Sequence, residues 1–139
     1  MPEYVLDTSA LLGYVLDEEG SDRIEEILEE LRRSGAVAAL SFMSAMEIEY
    51  RLVRDYPAQT VSQTLLLLAS SPLLVYESDL ATRREAARIK SRYRLSVADA
   101  WIAALALTRG ATLVHKDPEF DQIGELVAER LPYKPRTSR

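Results

Sequence analysis

The sequence predicts an α/β fold: a single-domain, three-layer α/β/α sandwich around a mainly parallel central sheet of four to five strands. Three observations carry this. Short, continuous apolar runs ("EYVLD", "AVAALS", "LLVYES", "ATLVHKD") recur along the 139-residue chain, and such runs suit strands buried on both faces. Segments with helical spacing separate them, which is the alternation of a parallel sheet with its crossovers. No repeat or low-complexity stretch interrupts the pattern.

Taken in order, "EYVLD" is a first strand and "ALLGYVLDEEG" the helix or turn after it. In "SDRIEEILEELRRSG", Ile24, Ile27, Leu28 and Leu31 share one helical face, with Ser21 as the expected N-cap and Gly35 at the stop. "AVAALS" is the second strand, followed by the helix "SAMEIEYRLVRDY", which halts before Pro57. "TVSQTLLLLASS" is a third helical stretch and "LLVYES" the third strand. Two helices, "DLATRREAARIKSRYR" and "SVADAWIAALALTRG", lead to the fourth strand, "ATLVHKD". The segment "LVAERLPYKPRTSR" supplies a short edge strand, limited by Pro132 and Pro135. The expected division is one domain over residues 1–132 and a flexible basic tail over 133–139.

Composition narrows the chemistry. The chain has no cysteine, so disulfides, thiolate nucleophiles and cysteine-bound zinc are excluded, and a single histidine, His115, cannot build a multi-histidine metal site. Acid–base or metal chemistry therefore falls to carboxylates. No apolar run reaches the roughly 20 residues of a membrane span, and no secretory signal opens the sequence, so a cytoplasmic location is expected. The net charge of −5 is unevenly placed: residues 1–80 carry fifteen acids and five bases, residues 81–139 seven acids and twelve bases. The basic half supplies a field that attracts phosphate.

Four acids interrupt apolar sequence at element boundaries. Asp7 closes the first strand, Glu47 opens the helix after the second, Asp99 opens "SVADAWIAALAL", and Asp117 closes the fourth strand. In a parallel sheet, strand ends and the starts of following helices lie on one edge, where ligands bind. Clustered carboxylates repel one another unless a cation sits among them, and hard oxygen donors suit Mg²⁺ or Mn²⁺. Metal-assisted phosphodiester hydrolysis fits such a cluster. The same residues admit plainer roles. Ser44–Glu47 and Ser96–Asp99 both fit the helix-capping pattern, and Asp117-Pro118 is a turn initiator.

"VLDTSALL", "MSAMEIEY" and "LSVADAWIAALALTRGATLVHKDPEF" together resemble the motifs of PIN-domain ribonucleases, particularly the VapC-type toxins of toxin–antitoxin pairs, over about residues 3–121. The resemblance implies a PIN-like fold and an endoribonuclease in which Asp7, Glu47, Asp99 and Asp117 bind one or two Mg²⁺ or Mn²⁺ ions that activate water. It implies that Ser9 supports the first carboxylate, that Glu119 is a further candidate ligand, and that the partners are RNA, a second copy and an antitoxin. His115 departs from it, standing where many relatives have threonine, and reads as a packed or hydrogen-bonded residue.

The basic segment holding Arg83, Arg84, Arg88, Lys90, Arg92 and Arg94 leads into the Asp99 helix and is suited to an RNA backbone or an acidic partner. Tyr93 is placed to stack on a base or to pack. Competing site types fail on their motifs: Asp7-Thr8-Ser9 has no glycine-rich turn for a dinucleotide, no P-loop is present, and Ser9 breaks the D-x-D of a dehalogenase-like phosphatase. A housekeeping RNA-processing nuclease and a non-catalytic binding module of the same fold stay open.

Overall fold

The computed structural model describes residues 3–132; the tail expected over 133–139 lies outside the described residues. Five strands form one sheet: β1 (Tyr4–Leu6), β2 (Ala38–Ser41), β3 (Leu73–Tyr76), β4 (Thr112–His115) and β5 (Ala128–Arg130), in the order β3-β2-β1-β4-β5. Every neighbouring pair is parallel. The sheet is therefore wholly parallel, and the edge strand expected near the end of the chain is β5.

Period-2 alternation of the strands divides the core. Tyr4, Leu6, Ala38, Leu40 and Val114 face one way, onto α1 (Thr8–Val15), α2 (Ser21–Ser34), α3 (Phe42–Asp55) and α4 (Ala58–Ala69). Val5, Ala39 and Leu113 face the other way, onto α5 (Leu80–Arg92) and α6 (Val97–Arg109). β1 and β2 are buried on both faces and β4 nearly so, whereas the edge strands β3 and β5 stay partly exposed. The result is the expected three layers.

Connectivity then places the crevice. From β1 the chain steps outward twice, to β2 and β3, with its helices on one face. It then crosses the other face through α5 and α6 to return at β4, on the opposite side of β1. The order reverses between β1 and β4, so their carboxyl ends open outward, as ligand sites in such sheets do. The amide of Asp7 donates to the Val114 carbonyl at 3.0 Å, carrying the β1–β4 ladder to that edge.

Two caps differ from expectation. Gly20, at φ 96°, precedes α2, and Ser21 is the first helical residue, its hydroxyl donating to Asp17 Oδ1 at 3.3 Å. A β-carbon on Gly20 would lie 3.3 Å from Leu131 Cβ, so the tight turn needs glycine for both conformation and room. Ser41, not Ser44, caps α3: its Oγ accepts from the Met43 amide at 3.2 Å, and the helix starts earlier than the pattern implied. Glu47 thereby falls in the second turn and is free of capping duty.

Ile27 is fully buried under the sheet, whereas Leu66 on α4 is 71% exposed. Ile27→Ala should cost about 2–5 kcal/mol in urea unfolding, and Leu66→Ala should leave the midpoint almost unchanged. Equal losses would contradict this placement of the core.

Candidate active site

Asp7 is the N-cap of α1. Its Oδ2 accepts from the Ser9 amide at 3.1 Å and takes a second, very short bond from the Ser9 hydroxyl. Ser9 Oγ in turn accepts from the Lys116 amide at 3.0 Å. One hydroxyl thus ties the end of β1 to the end of β4. The other carboxylate oxygen, Asp7 Oδ1, is buried with no hydrogen-bond partner among the described residues. A buried carboxylate oxygen left unpaired is costly, and such atoms mark places where an ion or water belongs.

Glu47 is held by a residue that sequence reasoning passed over. Thr8 Oγ1 donates to Glu47 Oε1 at 2.8 Å and, having one proton, accepts from Ser44 Oγ at 3.0 Å. Thr8 and Ser44 are both buried, so the pair joins α1 to α3 inside the protein. The available signal was the second hydroxyl of "DTS", adjacent to an acid at a strand end. Ser44, read as a cap, serves this link instead.

Asp99 occupies the first turn of α6, where Ser96 is the N-cap and its Oγ accepts from the Asp99 amide at 3.1 Å. Asp117 caps the 3₁₀ turn Pro118–Gln122, with Oδ1 accepting from the Glu119 amide at 3.0 Å. One oxygen each of Asp99, Asp117 and Glu119 lie within 4.8 Å of one another, a spacing that suits a shared cation. Glu119, the least certain of the acids in the sequence, belongs to this triad. Asp7 and Glu47 lie outside it.

The electrostatics bind the groups together. Burial, opposed by the Ser9 bonds and reinforced by the Asp117 charge, pushes Asp7 up to about 6. Burial, then the charges of Asp7 and Asp117, with Glu47 adding less, raises Asp99 to about 7. Both acids stand above the ordinary aspartate range chiefly because burial disfavours their charged forms, and neighbouring carboxylates add to it, more for Asp99 than for Asp7. His115 lies fully buried beneath, its pKa lowered by desolvation.

The basic segment is divided. Arg88 is engaged by Glu85 and, at 2.8 Å, by Glu125. Arg83, Arg84, Lys90, Arg92 and Arg94 are exposed and make no ion pair among the described residues. Arg83 and Lys90 flank a cleft between α5 and α6 that also reaches Trp101. Tyr93 Oη donates to Glu125 at 3.2 Å.

A parallel α/β/α domain with acids gathered at the strand-order reversal defines the class: a carboxylate-centred α/β protein. Residues 4–126 match the PIN domain family, and the chain belongs to that family. A comparison with curated proteins found no match. Among solved structures, it is similar to VapBC2 of Rickettsia felis bound to a promoter DNA fragment, with 19% identity and TM-score 0.79, covering 94% of this chain and 99% of that one. DNA-bound VapBC of Salmonella typhimurium gives 20% identity and TM-score 0.72, covering 94% and 98%. VapC20 of Mycobacterium tuberculosis, described as a Sarcin-Ricin loop cleaving toxin, gives 19% identity and TM-score 0.64, covering 93% and 99%. These likenesses establish the shared fold.

Two outcomes follow from the raised acids. Because Ser96 supplies the cap, Asp99→Ala should melt at the parent's temperature or above in EDTA; a loss of about 0.5–2 kcal/mol would instead mark Asp99 as a cap. For the pH dependence, an acid whose folded pKa exceeds its unfolded value stabilises the fold at low pH and loses that contribution as pH rises through the folded pKa. His115, with its lowered pKa, acts oppositely below the ordinary value of 6.5. Between pH 6.5 and 8 the last part of the Asp99 loss, which runs upward from its ordinary value of 3.8 and is complete once pH passes about 7, is unopposed, so the melting temperature in EDTA should fall across that window and then level off. A rise would contradict the clustering.

Proposed function

We propose that this protein is a metal-dependent endoribonuclease, the toxin of a type II toxin–antitoxin pair. The observation that carries the reading is geometric: oxygens of Asp99, Asp117 and Glu119 lie within 4.8 Å of one another, and the buried Asp7 Oδ1 has no hydrogen-bond partner among the described residues. An assembly of that kind is held at a cost in metal-free protein, and a divalent cation removes the cost. Membership of the PIN family and the toxin–antitoxin identity of the named structural neighbours support it.

The donor set fits Mg²⁺ or Mn²⁺: every candidate donor is a carboxylate oxygen, and Asp7 Oδ1 is a buried oxygen with no partner of its own. Asp7, Asp99, Asp117 and Glu119 would hold one or two ions, with Glu47 completing the acidic wall. When bound, the ion lowers the pKa of a water and offsets charge developing on the phosphate. The chain's own groups do the positioning. Ser9 orients Asp7 so that one oxygen stays free, and Thr8 spends one oxygen of Glu47 while leaving the other available. The exposed cations Arg83 and Lys90, which line the cleft between α5 and α6, are our candidates for holding a phosphate backbone.

The partners follow the same reading. The apolar stripe of α2 is fully covered, with Ile24, Ile27, Leu28 and Leu31 all buried within the chain itself. Met46, Tyr50 and Val53 on α3 and Leu66 and Leu67 on α4 are exposed instead, and we assign the homodimer to them. A cavity of about 610 Å³ beside Ser9, lined by Leu12, Leu16, Glu18, Arg51 and Lys116, is our candidate seat for an antitoxin peptide. No described helix is long and apolar enough to cross a membrane.

Purified protein should cut single-stranded or loop RNA with Mg²⁺ or Mn²⁺ and stop in EDTA, leaving 5′-phosphate ends because water attacks. Cleavage that survives EDTA, or cyclic phosphate ends, would overturn the mechanism. Replacing Arg83 and Lys90 with glutamate should weaken RNA binding and flatten its dependence on salt. An unchanged slope would place RNA elsewhere.

A further inference from the structure

His115 is the chain's only histidine, and its side chain is completely buried at the end of β4. Its Nδ1 accepts a hydrogen bond from the backbone amide of Asp117 at 3.2 Å. Nε2 has no hydrogen-bond partner among the described residues. An imidazole that accepts at Nδ1 carries its proton on Nε2, so a buried N–H donor is left unpaired. Such a donor is a liability that an aliphatic side chain of similar volume would not bring. The ring's remaining contact is edge-on against Phe120, with centroids 5.0 Å apart.

The bond from Asp117 is the first of two identical steps. His115 Nδ1 accepts from the amide two residues on, and Asp117 Oδ1 accepts from the Glu119 amide two residues further. Each step is a side chain closing a turn on the backbone ahead of it, as asparagine and aspartate do in loops. Asp117 and Glu119 are two of the three acids within 4.8 Å of one another. Phe120, one residue beyond, is buried against the same imidazole. His115 therefore holds the turn at two points, by a hydrogen bond at its Asp117 cap and by packing against Phe120 in its middle.

We propose that His115, as the neutral Nε2–H tautomer, is a positioning residue that sets the metal affinity of Asp117 and Glu119 through its bond to the Asp117 amide. The inference rests on the metal-binding reading above and adds a residue that touches neither ion nor substrate. It separates two properties that a merely structural core residue keeps together. Leucine at 115 preserves apolar packing but cannot accept from Asp117. Asparagine loses the ring against Phe120, yet its Oδ1 lies where Nδ1 does.

The test uses the full chain, with Mn²⁺ as the probe in calorimetric titration and melting in EDTA as the control. His115→Leu should melt near the parent while its Mn²⁺ dissociation constant rises by roughly 10- to 100-fold, as loss of an outer-shell hydrogen bond typically does. His115→Asn should melt lower and bind Mn²⁺ with the parent's affinity. A leucine variant with parental affinity overturns the proposal, as does an asparagine variant that binds no better than the leucine one. A metal-free check comes from the histidine itself, because one ¹⁵N-labelled imidazole gives one unambiguous pair of nitrogen signals. A protonated Nε2 and an accepting Nδ1 are expected, and a protonated Nδ1 overturns the assignment. A parent with the expected tautomer and no saturable Mn²⁺ binding would refute the metal reading and the affinity role together, leaving only the turn.

Discussion

Like charges brought together in a poorly solvated crevice dominate this protein. The carboxylates of Asp7, Glu47, Asp99 and Asp117 come from four separate segments of chain and meet where the strand order reverses between β1 and β4. Repulsion and desolvation both oppose that meeting, and none of the four acids forms an ion pair with a lysine or arginine among the described residues. Lys116, adjacent in sequence, turns its ammonium to Glu18 and the Glu19 carbonyl instead. The cluster survives because the remainder of the fold, with two apolar layers closed over a parallel sheet, supplies enough burial to hold it.

Neutral groups, rather than cations, do the local bracing. The hydroxyls of Ser9, Thr8 and Ser44, and backbone amides at 9, 117 and 119, each engage a carboxylate or the group that holds one. Such donors fix orientation while leaving the charge uncompensated, which is the state a cation-binding site requires. An arginine in the same places would have formed buried ion pairs and neutralised the cluster. On α5, Arg83, Arg84, Lys90 and Arg92 are exposed and form no ion pair among the described residues.

Much of this was legible in the sequence. Short apolar runs alternating with helical segments read as strands of a parallel sheet, so the layered α/β fold and its element order followed from pattern, although β3, at the sheet edge, leaves Leu74 and Val75 exposed. Acids that interrupt apolar sequence at element ends were conspicuous for the same reason. Cap assignment was less accessible, since Ser41 and Ser44 are chemically alike and the choice depends on where β2 stops. The reach of Glu119 was hidden too, because an exposed acid in a turn looks like any other until the turn is folded.

The sequence by itself determined the inventory and the edge: a parallel α/β domain, no thiol or histidine cluster, and four carboxylates at the ends of strands and starts of helices. These depend on periodicity and residue type, which are local properties. The tertiary structure alone decided which groups support which. Thr8 reaches Glu47 across 39 positions of sequence and Ser9 reaches Lys116 across 107, contacts set by how α1 lies against α3 and β4. It also decided which apolar stripe is covered, sealing α2 while leaving α3 open. Periodicity shows that a helix has an apolar face, but only packing shows whether another part of the same chain is there to meet it.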